Sequence, residues 1–221
     1  MIYITGDTHG DYTRFNTDCF PEQKSLTKED FVIICGDFGI WNDSREQEYW
    51  RDWLEAKPFT TLFVDGNHEN YDLLNSLPVK SWHGGRVHFV CPSVVHLMRG
   101  QLFDLDGTRF FTMGGAASHD IEDGILDPED PGFKRKRTLL EKQGKRMYRI
   151  NHSSWWKEEM PDELEYAEAR KTLDACAWKA DFIVSHCGPS GVIQLMSRGF
   201  YTPDRLTDFL EFPIFSKCTL N

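Results

Sequence analysis

Gly66-Asn67-His68-Glu69 follows the apolar run Thr61-Leu62-Phe63-Val64 and precedes an amphipathic stretch that begins at Tyr71. A short apolar run, then a turn, then a helical pattern reads as a buried strand feeding a loop at its C-terminal end. In an open α/β sheet such loops hold the ligand. Asn67 offers an amide oxygen to a cation, and His68 offers an imidazole at the next position. Two other loops share this placement: Asp7-Thr8-His9 after a strand at residues 1–5, and Gly36-Asp37 after the continuous apolar run Phe31-Val32-Ile33-Ile34-Cys35.

Outward from these loops the first 80 residues alternate between strand and helix. Residues 45–56 carry Tyr49, Trp50, Trp53 and Leu54 at helical spacing, and Lys57-Pro58 stops them. A short helix over 70–77 ends at Pro78. The order is βαβαβ, which predicts a parallel sheet with right-handed crossovers. The middle of the chain is β-rich, with strands predicted over 86–90, 94–98, 101–105 and 108–113. Asp106-Gly107 is a two-residue hairpin signal. The expectation is an antiparallel meander forming a second sheet on the first. Gly114-Gly115-Ala116 then implies a tight turn or a close backbone approach.

Residues 120–149 are lopsided in charge. Six acids lie between Asp120 and Asp130, and eight basic residues lie between Lys134 and Arg149, opposed only by Glu141. The plain reading is a solvated insertion whose halves neutralise each other; the alternative is a basic arm for a polyanionic substrate. A helix over 163–179 follows, then the apolar run Phe182-Ile183-Val184 ending in Ser185-His186-Cys187-Gly188-Pro189, and a last short helix over 204–210.

Composition sets the bounds. The chain has 221 residues and a formal charge of -10, so bulk electrostatics do not favour nucleic acid or an anionic membrane. No apolar run approaches the roughly 18 residues a membrane span needs. Met1 leads straight into a strand pattern without a charged leader, so no signal peptide is expected. The six cysteines, Cys19, Cys35, Cys91, Cys176, Cys187 and Cys218, lack paired spacing and read as reduced thiols of a cytoplasmic protein.

The polar residues just after apolar strands are Asp7 and His9, Asp37, Asn67 and His68, and His186. Mixed oxygen and nitrogen donors suit manganese, iron or zinc. An Asp-x-His pair can aim both donors at one ion, and an aspartate from the next strand can bridge two. Two ions roughly 3.5–4 Å apart hold a bridging hydroxide and clamp a phosphoryl group for in-line attack. An unligated His68 can supply the proton or positive charge that the leaving oxygen needs.

The sequence resembles the calcineurin-like metallophosphoesterase superfamily. The resemblance rests on Gly6-Asp7-Thr8-His9-Gly10, Gly36-Asp37-Phe38-Gly39, Gly66-Asn67-His68-Glu69 and Ser185-His186-Cys187-Gly188-Pro189, in the family's order and each after a strand. Gly114-Gly115-Ala116-Ala117-Ser118 and Ser154-Trp155-Trp156-Lys157-Glu158-Glu159 look like its bacterial and phage-type members. The resemblance implies an α/β fold with a two-sheet β-sandwich flanked by helices. It implies two divalent ions, with manganese the ion expected to serve in vitro. Asp7 and His9 would hold the first ion, Asp37 would bridge, and Asn67 and His186 would hold the second. His68 would be the catalytic proton donor, binding substrate together with Asn67. The partner expected is a phosphorylated substrate of unspecified class, with nucleic acid only as a substrate and no membrane.

One departure bears on these expectations. The family carries a further Gly-His-x-His segment that gives one histidine to each ion, and this chain has no histidine after His186. The expectation is one metallophosphoesterase domain over 1–221, C-terminally incomplete, with each ion one ligand short. The second sheet would lack a strand, and its open edge would favour self-association. His119 and His152 are the unassigned histidines nearest the motifs.

Taken singly, each candidate has a plainer explanation. Asp or Asn after a strand is usually a turn or cap residue, and His186 can be a satisfied core histidine. Trp50, Trp53, Trp155 and Trp156 read as core. His83, His88 and His96 read as structural or exposed, and Cys35 and Cys187 as small buried residues. The four motifs in order are what argue for a shared site.

Overall fold

The computed structural model describes all residues except Ile40, Asp43 and 213–221, with Phe212 described by its backbone alone. The first half is built on a six-stranded sheet. Strands β1 (Ile2–Thr5), β2 (Phe31–Cys35) and β3 (Thr60–Val64) run parallel, with helix α1 (Arg45–Glu55) between β2 and β3. Helix α2 (Tyr71–Ser76) leads into β4 (Val79–Trp82), β5 (Gly85–Cys91) and β6 (Val94–Leu97). The spatial order is β1-β2-β3-β6-β5-β4, with β6 parallel to β3 and β5 antiparallel to both its neighbours.

The expected meander is therefore divided. Its first part joins the first sheet through β6. Its second part, β7 (Gln101–Leu105) and β8 (Thr108–Met113), forms the hairpin of a separate sheet, with Asp106 and Gly107 both at positive φ. A parallel strand, β11 (Phe182–Ser185), adds to β8, giving the order β11-β8-β7. Val94 and Val95 are buried from both sides and serve a central parallel position, a role that local pattern does not distinguish from a hairpin strand.

Period-two alternation sorts the strand residues into layers. Val32 and Ile34 of β2 face α1, α2 and the N-terminal turns, in a cluster with Phe38, Leu54, Phe63 and Leu74. Phe31 and Ile33 face the other way and share a cluster with Leu62, Phe103 and Phe110, the last two from the second sheet. Phe111 and Met113 of β8 form a third cluster with Tyr166, Leu173 and Leu210, on helices α4 (Glu163–Ala175) and α6 (Arg205–Phe212). The result is an α/β fold of mixed sheets flanked by helices.

The charge-lopsided segment folds as a small unit. It holds β9 (Gly124–Leu126), helix α3 (Phe133–Lys142) and β10 (Tyr148–Ile150), the two strands pairing in parallel. None of the α3 residues is buried, and Lys136–Asp130 and Arg137–Glu141 pair within the segment. Helix α5 (Ser190–Ser197) follows His186. Neither α3, α5 nor strands β4, β9 and β10 was legible in the sequence.

A buried ionic network sets where β3 ends. Asp65 is 1% exposed and accepts from Arg99 Nε at 2.7 Å, while His96 Nε2 lies 3.0 Å from its other oxygen. Arg99 Nη2 also donates to the Tyr71 hydroxyl and to the Glu158 carbonyl oxygen, both at 2.8 Å. The Tyr71 hydroxyl lies 2.6 Å from the Gly66 carbonyl oxygen. Burial alone would raise the Asp65 carboxyl; Arg99 and His96 outweigh it and hold it far below the usual carboxylate range.

Removing one partner leaves an uncompensated buried charge. Arg99→Met is expected to cost about 3–5 kcal/mol, a fall in Tm of roughly 6–20 °C for a chain of this size. Because the folded pKa of Asp65 is depressed, its contribution is present above the unfolded value of about 3.9 and is lost as pH falls from there through the folded value. Thermal melts over a pH series check both; an unchanged midpoint in the variant contradicts the network's role.

Candidate metal centre

Four loops at the C-terminal ends of β1, β2, β3 and β11 converge. The first two are joined by backbone: the amide of His9 donates to the Asp37 carbonyl oxygen at 2.7 Å and that of Gly10 to the Phe38 carbonyl oxygen at 3.0 Å. The hydroxyls of Thr8 and Tyr12 add bonds to the same Phe38 oxygen at 2.9 and 2.6 Å. His9 and Asp37 both sit at φ 47°, a left-handed conformation that L-residues hold only where surrounding structure enforces it. The second and third loops are joined by Glu69, whose Oε1 accepts from the amides of Phe38 (2.9 Å) and Gly66 (3.3 Å). Glu69 is fully buried, and burial pushes its carboxyl up to about 8.

The Asp37 carboxylate lies at the centre, 3% exposed. One oxygen accepts from the His68 amide at 2.8 Å. The other lies 3.5 Å from His9 Nε2 and 3.3 Å from His186 Nε2. His9 Nε2 is also 2.9 Å from Asp7 Oδ2. Asp7, His9 and Asp37 offer ligand atoms that all lie within 4.8 Å of one another. His186 is oriented by the bond between Nδ1 and the Cys35 carbonyl oxygen, 2.7 Å, which leaves Nε2 to face Asp37.

The electrostatics suit a cation. Burial works against charge on Asp37, but the hydrogen bond and charge of His186 and the His68 amide outweigh it and lower its pKa. Burial likewise opposes charge on His186, and Asp37 outweighs it, raising that imidazole to about 9. The donor set, carboxylate oxygens with imidazole nitrogens on either side of one buried carboxylate, fits a borderline divalent metal.

His68 flanks this cluster, its ring 5.3 Å from that of His9. Partial burial lowers its pKa, against the opposing charge of Asp37. Asn67 turns its amide nitrogen toward Ser118 Oγ, 3.3 Å away. His68 also lines a cleft of about 350 Å³ with Trp41, Asn70, Arg149, Ser154 and Trp156. Arg149 is held there by Asp120, with Nε 2.9 Å from Oδ1.

The other histidines lie elsewhere. His119 packs on Tyr201, and His152 pairs with Asp72 at 2.9 Å. His88 and His96 are buried and belong to the Asp65 network. Cys35 and Cys187 are partly buried thiols that burial pushes up to about 11 and about 12. The expected lack of a Gly-His-x-His segment and of a strand concerns the chain after Phe212, outside the described residues. Sequence reasoning missed the structural roles of Glu69, Ser118, Glu159 and Arg149; their partners are distant in the chain, and only the motif membership of the first three hinted at them.

Fold and site together describe a candidate metal-binding hydrolase. The profile of the family described as calcineurin-like phosphoesterase matches residues 1–210, and the chain belongs to that family. Its curated relatives include a lariat debranching enzyme A from Xenopus laevis, 27% identical over 143 residues, covering 57% of this chain and 26% of the relative. A lariat debranching enzyme from Caenorhabditis briggsae is 24% identical over 208 residues, covering 86% of this chain and 36% of the relative. The matched region thus spans about a quarter to a third of these relatives' length. Among solved structures, the protein of unknown function AQ665 from Aquifex aeolicus aligns at 21% identity with a TM-score of 0.30, covering 72% of this chain and 81% of that one.

Close packing under the site gives a test. A Cβ at Gly36, whose φ is +95°, would stand 2.2 Å from His186 Nδ1. Gly36→Ala is expected to push His186 off the Cys35 carbonyl, cost roughly 1–3 kcal/mol of stability and weaken manganese binding about 10–100-fold. Calorimetric manganese titration beside a thermal melt reads both. Wild-type manganese affinity in Gly36→Ala would contradict His186 as a ligand.

Proposed function

We propose that the chain is a metal-dependent phosphoesterase. The observation that carries this reading is the buried Asp37 carboxylate, with the Asp7–His9 pair on one side and His186 on the other. Asp7 and His9 would hold one divalent ion, Asn67 and His186 would hold a second, and Asp37 would be shared between them. Ions held there would supply an acidified water for attack on phosphorus and positive charge for the phosphoryl oxygens. Manganese is the first ion to supply. The protein's own part is to fix these donors on four interlocked loops, so that little reorganisation is needed.

His68 donates the proton to the leaving oxygen. A phosphate beside it brings the negative charge that favours its protonated form. Arg149, in the same cleft, meets a phosphate oxygen or a second anionic group of the substrate. Relatives named for debranching lariats make a nucleic-acid phosphodiester a substrate to test beside simple phosphomonoesters. Such an acid enters as substrate only, drawn by local cations rather than by the chain's net charge.

The two-sheet sandwich of the family is the arrangement that the shared cluster of Phe31, Ile33, Phe103 and Phe110 supports. Strand β11 is an edge of its sheet among the described residues, open to a further strand or a second copy. The five described cysteines are unpaired, which agrees with a cytoplasmic setting. Among the described residues no helix is long and apolar enough to cross a membrane.

The experiment is hydrolysis of an aryl phosphodiester with and without manganese. Turnover is expected to require the metal and to disappear in Asp37→Asn. His68→Ala is expected to lower kcat about 10²–10⁴-fold while manganese still binds, and Arg149→Ala to raise KM. Metal binding without turnover on any phosphoester would leave a phosphate-binding relative in place of an enzyme.

A further inference from the structure

The segments 114–118 and 154–159 supply no ligand to the proposed centre, yet they meet beside Asn67. Ser118 Oγ donates to Glu159 Oε2 at 2.6 Å, and the Ser118 amide donates to Glu159 Oε1 at 2.9 Å. The Ala116 amide donates to the Glu159 carbonyl oxygen at 3.1 Å. Ser118 is 6% exposed and Glu159 3%. Asn67 Nδ2 completes the chain at 3.3 Å from Ser118 Oγ.

Burial raises the Glu159 carboxyl while the Ser118 hydroxyl and amide oppose that rise; with the carboxylate ionised, the chain has one polarity. An ionised carboxylate only accepts, so the single Ser118 hydroxyl proton is committed to Glu159, at a distance usual for a charge-assisted O–H···O bond. Ser118 Oγ is then left with lone pairs and can only accept from Asn67. The Asn67 NH₂ group must therefore turn toward Ser118, which leaves Oδ1 on the other branch of the planar amide. An amide's two ends are nearly equal in shape, and hydrogen-bond partners decide between them. A cation takes the oxygen and is repelled by the NH₂ group.

We propose that Glu159 and Ser118 are positioning residues that set the amide polarity of Asn67, so that Oδ1 is the atom offered to a divalent ion at Asp37. This rests on Asn67 as a metal ligand. The chemistry explains why a buried glutamate and a buried serine from two distant motifs share this spot.

The test is manganese binding by the full chain without substrate, read from the electron paramagnetic resonance signal of free manganese, with a thermal melt of each variant. Asn67→Ala marks full loss of the ligand. Ser118→Ala releases the amide and is expected to weaken binding about 10–100-fold, the usual effect of removing a group that orients a ligand. Ser118→Thr keeps the hydroxyl and is expected to restore most of the affinity. Glu159→Gln is expected to weaken binding at least as much as Ser118→Ala. Its carboxamide can donate to Ser118 Oγ, turning the hydroxyl proton toward Asn67 and drawing Oδ1 away from the ion.

Wild-type affinity in both Ser118→Ala and Glu159→Gln overturns the proposal while leaving the metal centre standing. Equal weakening in Ser118→Thr and Ser118→Ala also overturns it, because packing rather than the hydroxyl would then be responsible. No manganese binding by the wild-type chain removes the ligand reading of Asn67 and this proposal with it. Should Glu159→Gln fail to fold, the two Ser118 variants decide.

Discussion

A buried carboxylate at the meeting point of four loops is the constraint on which the rest depends. Asp37 cannot be taken out of water without partners, and its partners come from every neighbouring loop: the His68 amide, the His9 ring and the His186 ring. Holding them there requires left-handed backbone at His9 and Asp37, and a buried carboxyl, Glu69, tying Phe38 to Gly66. Gly66 has no side chain to spare, since a Cβ would stand 2.1 Å from Asp37 Oδ1. These features cost stability locally, and the apolar clusters on both faces of β2 and β3 offset that cost.

The Asp65–Arg99 network extends the same logic one layer inward. It fixes the residue before Gly66 to the turn after β6 and to the segment around Glu158. The loop bearing Asn67 and His68 is thereby anchored on both sides, by Asp65 behind and by Glu69 ahead. A chain with formal charge -10 still presents a local cation in the cleft beside His68, because the Arg149 guanidinium lies there while the net charge is spread over a screened surface.

Strands β2 and β3 were legible because a strand buried on both faces leaves a nearly continuous apolar run. The loops bearing Asp7, Asp37, Asn67 and His186 were legible as a set: each polar residue alone after a strand reads as a turn or cap, and four such motifs in order point to one shared site. The division of the β-rich middle was not. Strand β6 looks locally like a hairpin strand, and its parallel pairing with β3 is a long-range choice. Helix α3 and strands β9 and β10 were hidden because none of their faces is deeply buried except at Leu126, so the hydrophobic period is weak. The Ser118–Glu159 and Asp65–Arg99 contacts join residues 41 and 34 positions apart, and nothing local marks such pairs.

The most direct measurement is anomalous X-ray scattering from a crystal of the full chain soaked in manganese. The account predicts two anomalous peaks on either side of the Asp37 carboxylate, one beside Asp7 and His9, the other beside Asn67 and His186. A crystal with manganese bound only elsewhere, and no peak at Asp37, would contradict it.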